Sequence, residues 1–263
     1  KGALSAAEAI HAVDAPGRRV LAVANYFGGP AAAGTSGGHD PQAREPAWLD
    51  IYDLSDCANP KLMAEVQWPE NAHTLRISPN GRLVYGTNLS PFDGKGGVQV
   101  MDISDLANPR FLGKFGATRP DGSSFEFASH ELSFSADGRR VYAGVNSSLG
   151  GDLNRGIKTF PPNKVALGPD GGGIYIFDNS DFIDRRPDPK LRLLSAMPGG
   201  GWHSVVPANI GGVPHLVGGS ELGGCPGTWP RITNIADERK PFIAGEFRLA
   251  MNRAENCPPP GQA

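Results

Sequence analysis

The sequence has few cysteines, no long apolar stretch and no run of basic residues, and these absences exclude several classes of protein. No apolar run reaches the roughly 18 residues that a membrane-spanning helix needs, so we predict no membrane span. The formal net charge is −2 and the pI is near 6.3, so we expect no nucleic-acid partner held by phosphate contacts. With 39% hydrophobic residues the chain can bury a core, which excludes a disordered protein.

The three cysteines are Cys57, Cys225 and Cys257, and the last two lie in loop-like Gly/Pro contexts at either end of one segment. A disulfide between Cys225 and Cys257 would indicate an oxidising compartment, and the alternative is three unpaired thiols. The chain begins at Lys1 without a Met or a hydrophobic signal core. We interpret it as a processed product whose signal peptide has been removed, and expect a periplasmic or secreted protein.

Glycine and proline are abundant, with 36 and 24 residues respectively in a chain of 263. This composition predicts many turns and short elements rather than long helices. Much of it belongs to an internal repeat, which is the strongest signal in the sequence.

One half of the repeat starts at a histidine, continues as an alternating strand and turns at a glycine eight residues later. It is clearest from His73 to Gly81 and from His130 to Gly138, where Asn-Gly or Asp-Gly forms the turn before a second strand. Weaker copies turn at Gly17 and follow His203.

The other half is an apolar strand that ends in an Asp-x-Ser-Asp type of segment, followed by a proline. Its four copies contain Asp53, Asp102, Asp178 and Asn234, and their prolines are Pro60, Pro109, Pro189 and Pro241. Short polar side chains here accept backbone N–H groups, and proline ends the pairing before the next strand. We therefore interpret these aspartates as turn formers rather than catalytic acids.

Each repeat predicts a four-stranded antiparallel sheet, and several such sheets bury both faces when arranged radially, as in a β-propeller. The predicted fold is an all-β propeller in one domain, 1–263, with repeats at about 9–70, 71–127, 128–200 and 201–252 and a tail at 253–263. No strand is left over to close the ring. We expect the four blades to belong to a larger propeller, with further blades from missing sequence or another chain, and a compact four-bladed ring is the alternative.

The segments Tyr-Asp-Leu-Ser-Asp at residue 52 and Met-Asp-Ile-Ser-Asp at residue 101 resemble the LVIVD-type repeat of bacterial β-propellers. The resemblance implies the propeller fold and says little about activity, since the repeat is found largely in exported proteins of undefined function. Asn234 and Ala9 depart from the pattern, because they stand where the repeat would carry Asp and His.

Three histidines, His73, His130 and His203, precede the first strand of consecutive repeats. In a propeller this strand lines the central channel, so we predict that their imidazoles converge at the channel mouth. Such imidazoles can bind a transition metal such as copper, zinc or iron, with Glu131 or Ser129 as an acceptor for a second ring nitrogen. The alternative is that each histidine caps backbone groups of the adjacent blade.

Two long insertions, 27–46 and 147–173, depart from the minimal blade, and the first carries His39. Loops of this length are usually functional or disordered. We expect Trp202 and Phe127 to form an apolar wall at the channel mouth. The two insertions and this wall are consistent with two functions. One is a metal or small-molecule site, in a form that includes a metal-dependent enzyme, with Trp202, Glu131 and His39 as ligand contacts. The other is a non-catalytic scaffold that binds a protein through the two loops.

Overall fold

The computed structural model describes residues 9–24, 47–69, 72–87, 97–125, 127–145, 173–198, 202–219, 229–250 and 253–257. The insertion 27–46 with His39, nearly all of 147–173, and Cys225 lie outside these residues, so the predictions that rest on them stay predictions.

The described residues form four sheets, which we call blades 1 to 4. Blade 1 contains β1 (Ala9–Ala15), β2 (Arg18–Ala24), β3 (Ala47–Asp53) and β4 (Lys61–Trp68). Blade 2 contains β5 (Leu75–Ile77), β6 (Leu83–Thr87), β7 (Val98–Asp102) and β8 (Arg110–Phe115). Blade 3 contains β9 (Ala117–Thr118), β10 (Ser124–Phe125), β11 (Glu131–Phe134), β12 (Arg140–Val145), β13 (Gly173–Asp178) and β14 (Leu191–Pro198). Blade 4 contains β15 (Ser204–Ile210), β16 (Val213–Gly219), β17 (Arg231–Asn234) and β18 (Phe242–Glu246).

Blades 1, 2 and 4 are four-stranded antiparallel sheets in chain order, so the predicted β-propeller fold is confirmed. Blade 3 corrects the prediction of four strands in every blade. Its sheet has six strands, because the short hairpin β9–β10 adds to the outer strand β14, with Ala117 beside Leu191 in a parallel pair. Strands of two residues are too short to show an alternating pattern in the sequence. The predicted boundary at residue 127 therefore assigned this hairpin to the second repeat instead of to blade 3.

The predicted turns are confirmed in detail. Asp53 and Asp102 accept the backbone N–H of Ser55 and Ser104 at 2.8 and 2.9 Å. Asn234 accepts the N–H of Ala236 at 2.9 Å, so the substitution of Asp by Asn preserves the turn. In blade 3 the Asp178 turn leads into a short helix, α1 (Ser180–Ile183), which lengthens the connection to β14.

The hairpins between first and second strands turn at glycines with positive φ. These are Gly17, Gly81, Gly138 and Gly211, with φ of 73°, 71°, 73° and 60°. This backbone conformation is accessible to glycine at little cost, which explains why the repeat places a glycine there.

The chain divides into two compact units. Unit 1 contains blades 1 and 2, which share a core that includes Leu49 and Ile51 of blade 1 and Leu75 and Ile77 of blade 2. Unit 2 contains blades 3 and 4, which share a core built from Tyr142, Ile174, Ile176, Trp202, Val205, Leu216 and Ile235. In both units, one blade therefore packs a face against the next blade.

The helices in the described part of the chain are too short or too polar to cross a membrane.

Candidate functional site

The three repeat histidines occupy the same backbone position in their blades. The N–H of His73 donates to the carbonyl oxygen of Thr87 at 2.8 Å. The N–H groups of His130 and His203 donate in the same way to Gly144 and Gly219, at 3.1 and 2.7 Å. In each case the acceptor is the last residue of the second strand, or the one next to it, so the predicted equivalence of the three positions is confirmed.

In unit 2 this equivalence brings two imidazoles together. The ring centroids of His130 and His203 are 3.6 Å apart, and the ring planes are inclined by 43°. His130 is buried, with 3% of its surface exposed, whereas His203 is partly exposed. The pair is therefore anchored in blade 3 and reaches solvent through blade 4.

Close backbone packing fixes this arrangement. A Cβ on Gly144 would lie 3.1 Å from the carbonyl oxygens of both Trp202 and His203. On Gly218 it would lie 3.0 Å from the Trp202 ring and would overlap the carbonyl oxygen of Ser204. Glycine at these two positions allows the segment 202–204 to lie directly against β12 and β16, and this holds His203 over His130.

His73 lies in unit 1, buried to 6% exposure. Among the described residues, no group of three or more His, Cys, Asp or Glu side chains is placed to hold a metal ion. The predicted three-histidine centre is therefore not found among the described residues. The structure places two of the three histidines, His130 and His203, in contact.

The two residues of the expected apolar wall, Trp202 and Phe127, are both buried. Trp202 is 2% exposed and lies in the core of unit 2, while Phe127 is fully buried with its ring centroid 4.8 Å from that of Phe177. Trp202 fills the junction between blades 3 and 4, whereas Phe127 packs on Phe177 within blade 3. Because Trp202 directly precedes His203 in the chain, its burial in the core restricts the position of the His203 backbone.

Ser129 and Glu131 flank His130. The Ser129 hydroxyl donates to the carbonyl oxygen of Glu131 at 2.8 Å, so its hydrogen is directed to the backbone. The role of Glu131 or Ser129 as an acceptor for a ring nitrogen stays a prediction.

Sequence reasoning missed a ladder of tryptophan and arginine side chains in blade 4. The Arg231 guanidinium carbon lies 5.7 Å from the Trp202 ring and 5.5 Å from the Trp229 ring, and that of Arg248 lies 3.9 Å from Trp229. Glu246 forms ion pairs with both arginines, at 3.3 and 2.5 Å. Cation–π contacts of this kind hold the aromatic rings in place, and the ladder begins at the residue that precedes His203.

A second missed residue is His11 in blade 1. Its Nδ1 accepts a hydrogen bond from the backbone N–H of Ile77 in blade 2 at 3.1 Å. Burial, together with the nearby charge of Arg76, lowers the pKa of His11 from 6.5 to about 4. The repeat offered no signal for it, since the first copy carries its histidine at a different place from the others.

Cys57 is an exposed free thiol. Because Cys225 lies outside the described residues, the Cys225–Cys257 disulfide stays a prediction.

No protein-family model matches the chain, and no curated protein sequence matches it. Among solved structures it is similar to "COPII on membranes, outer coat vertex", with a TM-score of 0.52 and 13% identity over 90% of this chain and 50% of that chain. It is similar to hydrazine synthase of Kuenenia stuttgartiensis, with a TM-score of 0.52 and 11% identity over 92% of this chain and 55% of that one. It is also similar to "The structure of the COPII coat assembled on membranes", with a TM-score of 0.52 and 13% identity over 90% of this chain and 28% of that chain.

At these identities the likeness shows the fold alone. The chain spans about half the length of two of the matched chains and about a quarter of the third. The β-propeller is supported by these neighbours, whereas membership of the LVIVD family is not, because no family model matches.

Proposed function

We propose that the His130–His203 pair is the ligand-binding centre of this protein and that it holds a transition metal ion through imidazole nitrogen. The observation that carries the proposal is the contact between the two rings, whose centroids lie 3.6 Å apart at the entrances to the first strands of neighbouring blades. Because a metal–nitrogen bond is about 2.0–2.1 Å long, two imidazoles on one ion need a wider spacing, so binding would turn the partly exposed His203 ring away from His130. Neutral imidazole is a good ligand for copper, zinc and iron. Two imidazoles leave coordination positions open for water or a small molecule, as a catalytic or ligand-exchanging site requires.

The burial pattern favours binding over simple packing. His130 is nearly inaccessible while His203 is partly exposed, so a bound ion would have an inner anchor and an outer, reachable ligand. The glycine contacts at Gly144 and Gly218 and the arginine ladder restrict the movement of Trp202 and His203.

Two further proposals accompany this one. We propose that the protein is exported, which the expected Cys225–Cys257 disulfide would support, and that its Asp-x-Ser-Asp turns belong to an LVIVD-type repeat. The scaffold alternative, in which loops 27–46 and 147–173 bind a protein, concerns residues outside the described part of the chain.

The test is calorimetric titration of the purified protein with Cu²⁺ and Zn²⁺. We expect one equivalent to bind, with affinity reduced about tenfold or more by either His130→Ala or His203→Gln. His203→Gln is included because its partly exposed side chain can be replaced without opening the core. The matched control is His215→Gln, since the Nδ1 of His215 lies 2.9 Å from the carbonyl oxygen of Val213, in a bond the pair does not share.

Binding that is absent, or equal in wild type and both pair variants, would contradict the proposal. Circular dichroism and thermal melting of each variant separate a lost ligand from a lost fold.

A further inference from the structure

A cavity of about 540 Å³ lies between the turns of blades 1 and 2. It is lined by residues of the β1–β2 hairpin between Asp14 and Arg19, by the turn at Asp53 and Ser55, and by Leu106 in the corresponding turn of blade 2. All of these residues belong to unit 1. Small-molecule sites typically have volumes of about 300–1,000 Å³, so the cavity is large enough for a ligand of this kind.

Arg18 contributes a positive charge to the cavity. Its two terminal nitrogens donate to the backbone carbonyl oxygens of Ile103 and Ser104 in blade 2, the second at 2.8 Å. Its methylene groups lie on Gly81, where an added Cβ would be 3.1 Å from Cδ of Arg18. The guanidinium is therefore held against blade 2 by neutral acceptors, and these bonds use only two of the five N–H groups that a guanidinium carries.

The charge of Arg18 is incompletely compensated. Burial and the charge of Arg82 lower the pKa of Arg18 from its ordinary value, although three nearby aspartates act in the opposite direction. The partners that contact the guanidinium among the described residues are carbonyl oxygens rather than carboxylates. A partly buried cation of this kind is stabilised by a carboxylate, which a guanidinium can bind through two parallel N–H···O bonds.

Unit 2 shows how the repeat supplies such a carboxylate. Arg140, like Arg18, is the first residue of the second strand in its blade, and it also reaches the turn of the next blade. There its Nε lies 2.6 Å from Oε2 of Glu238, while Asp178 of its own blade lies 3.6 Å from Nη1. The arginine of unit 2 is therefore paired with carboxylates, whereas Arg18 is not.

The repeat position of Glu238 is occupied by Leu106 in blade 2. Glu238 follows Asn234 by four residues, and Leu106 follows Asp102, the equivalent turn residue, by the same number. Leu106 is partly buried and packs against the core of unit 1, and Ala15, which also lines the cavity, is 5% exposed. The cavity thus combines a cation that no carboxylate contacts with an apolar lining at the repeat position where unit 2 has its carboxylate.

The other charged residues of the cavity are paired or hydrogen-bonded. Arg19 Nε lies 3.0 Å from the Asp14 carboxylate, and Asp53 accepts the N–H and the hydroxyl of Ser55 at 2.8 and 3.1 Å. Because the carboxylates of Asp14 and Asp53 line the cavity, they repel a second negative charge on a ligand. They therefore favour a ligand with a single carboxylate.

We propose that this cavity binds a small monocarboxylate with an apolar chain. The ligand carboxylate is the counter-charge of Arg18, as Glu238 is for Arg140, and the chain lies on Leu106 and Ala15. A few polar anchors in an otherwise apolar lining fix the orientation of a small ligand and set its specificity. The inference is independent of the histidine pair.

The test is a nuclear magnetic resonance titration of the full chain, in which backbone amide shifts report the site. We expect 4-methylpentanoate to cause saturable shifts at Gly17, Arg18 and Ser55, with a dissociation constant of about 1 mM or lower. The neutral 4-methylpentanamide, acetate without the chain, and glutarate with a second charge should each bind about tenfold more weakly.

Two substitutions test the contact with Arg18. Leu106→Glu gives blade 2 the carboxylate that blade 4 has, so it should abolish binding of 4-methylpentanoate and raise the midpoint of thermal unfolding. Leu106→Gln, which lacks the charge, should keep weaker binding. Arg18→Gln should weaken binding about tenfold or more. Arg239→Gln is the control, because this exposed arginine in the turn of blade 4 lies outside the cavity and its loss should leave binding unchanged.

The absence of saturable shifts with 4-methylpentanoate overturns the proposal, as does equal affinity for the amide. Binding that is unchanged in Leu106→Glu or in folded Arg18→Gln also overturns it. Shifts that Arg239→Gln reduces as strongly as Arg18→Gln does would indicate nonspecific anion binding and would contradict the site. Circular dichroism of each variant confirms the fold.

Discussion

The imidazole of His11 joins blade 1 to blade 2, because its Nδ1 accepts the backbone N–H of Ile77 at 3.1 Å. Only a ring that is unprotonated at Nδ1 can accept this bond. Since burial lowers the pKa of His11 from 6.5 to about 4, the folded state binds fewer protons than the unfolded state between these values. His11 therefore makes its full contribution to the free energy of unfolding above about pH 6.5, and this contribution is lost as the pH falls toward 4.

We therefore expect His11→Asn, which retains an acceptor but does not titrate, to flatten the pH dependence of unfolding. Between pH 7 and pH 4 the free energy of unfolding of the wild type should fall by about 2 kcal/mol more than that of the variant, after allowance for solvent screening of a partly exposed group. Urea denaturation at a series of pH values measures this difference. Parallel curves for the two proteins would show that His11 is not the group responsible.

A second prediction concerns the close packing around Trp202. Gly218→Ala should destabilise the protein by about 1–3 kcal/mol, because the new Cβ meets the Ser204 carbonyl oxygen and the Trp202 ring. The neighbouring Gly219→Ala is the control, since its Cβ would be 3.9 Å from the nearest atom, on Pro230. We expect the control to remain within about 0.5 kcal/mol of wild type. Denaturant unfolding gives the free energies, and near-ultraviolet circular dichroism reports the Trp202 environment. Equal effects of the two substitutions would refute the packing argument.

A third prediction concerns the ion pair that fastens blade 3 to blade 4. Arg140 Nε lies 2.6 Å from Glu238 Oε2, with 30% and 27% of the two side chains exposed. The backbone carbonyl of Glu238 also accepts the Ser195 hydroxyl at 2.6 Å, so the turn is held at two points. Glu238→Gln should lower the free energy of unfolding by about 1–2 kcal/mol, because a partly buried arginine loses its nearer carboxylate and keeps only Asp178, at 3.6 Å.

The comparison for this pair is Asp184→Asn. The Asp184 carboxylate binds Arg139 at 2.6 Å, but this pair lies within blade 3 and is more exposed. We expect Asp184→Asn to lower the free energy of unfolding by less than Glu238→Gln does, and we expect this smaller effect to decrease more strongly with added salt. A double-mutant cycle over Arg140 and Glu238 isolates the coupling energy of the pair, and a coupling near zero would contradict the stabilising role of this ion pair.

The predicted disulfide can be tested by peptide mapping without reduction. We expect a linked peptide that contains Cys225 and Cys257, and alkylation of the exposed thiol of Cys57, which serves as the internal control. Alkylation of all three cysteines in the unreduced protein would contradict both the disulfide and the argument for an exported protein that depends on it.

The sequence was most informative where a local rule acts. The hairpins at Gly81 and Gly138 and the turns at Asp53 and Asp102 follow from residues that are neighbours in the chain. Repetition also predicted the approach of His130 and His203, because equivalent positions of consecutive blades become neighbours in space.

Other features depend on contacts between distant segments, and sequence reasoning did not predict them. The β9–β10 hairpin is defined by its pairing with β14 rather than by its own residues. The ladder from Trp202 to Arg248 and the bond from Ile77 to His11 arise only once neighbouring strands and blades are packed. The sequence did not predict that Trp202 is buried at the junction between blades 3 and 4, and its role as a ligand contact stays a prediction.

The central claim is that His130 and His203 together hold a metal ion, and X-ray absorption at the metal edge tests it most directly. Protein loaded with one equivalent of Cu²⁺ or Zn²⁺ should show the outer-shell scattering of two imidazole rings, reduced to one ring in His203→Gln. Scattering without an imidazole contribution, or a spectrum that is the same in wild type and His203→Gln, would contradict the account.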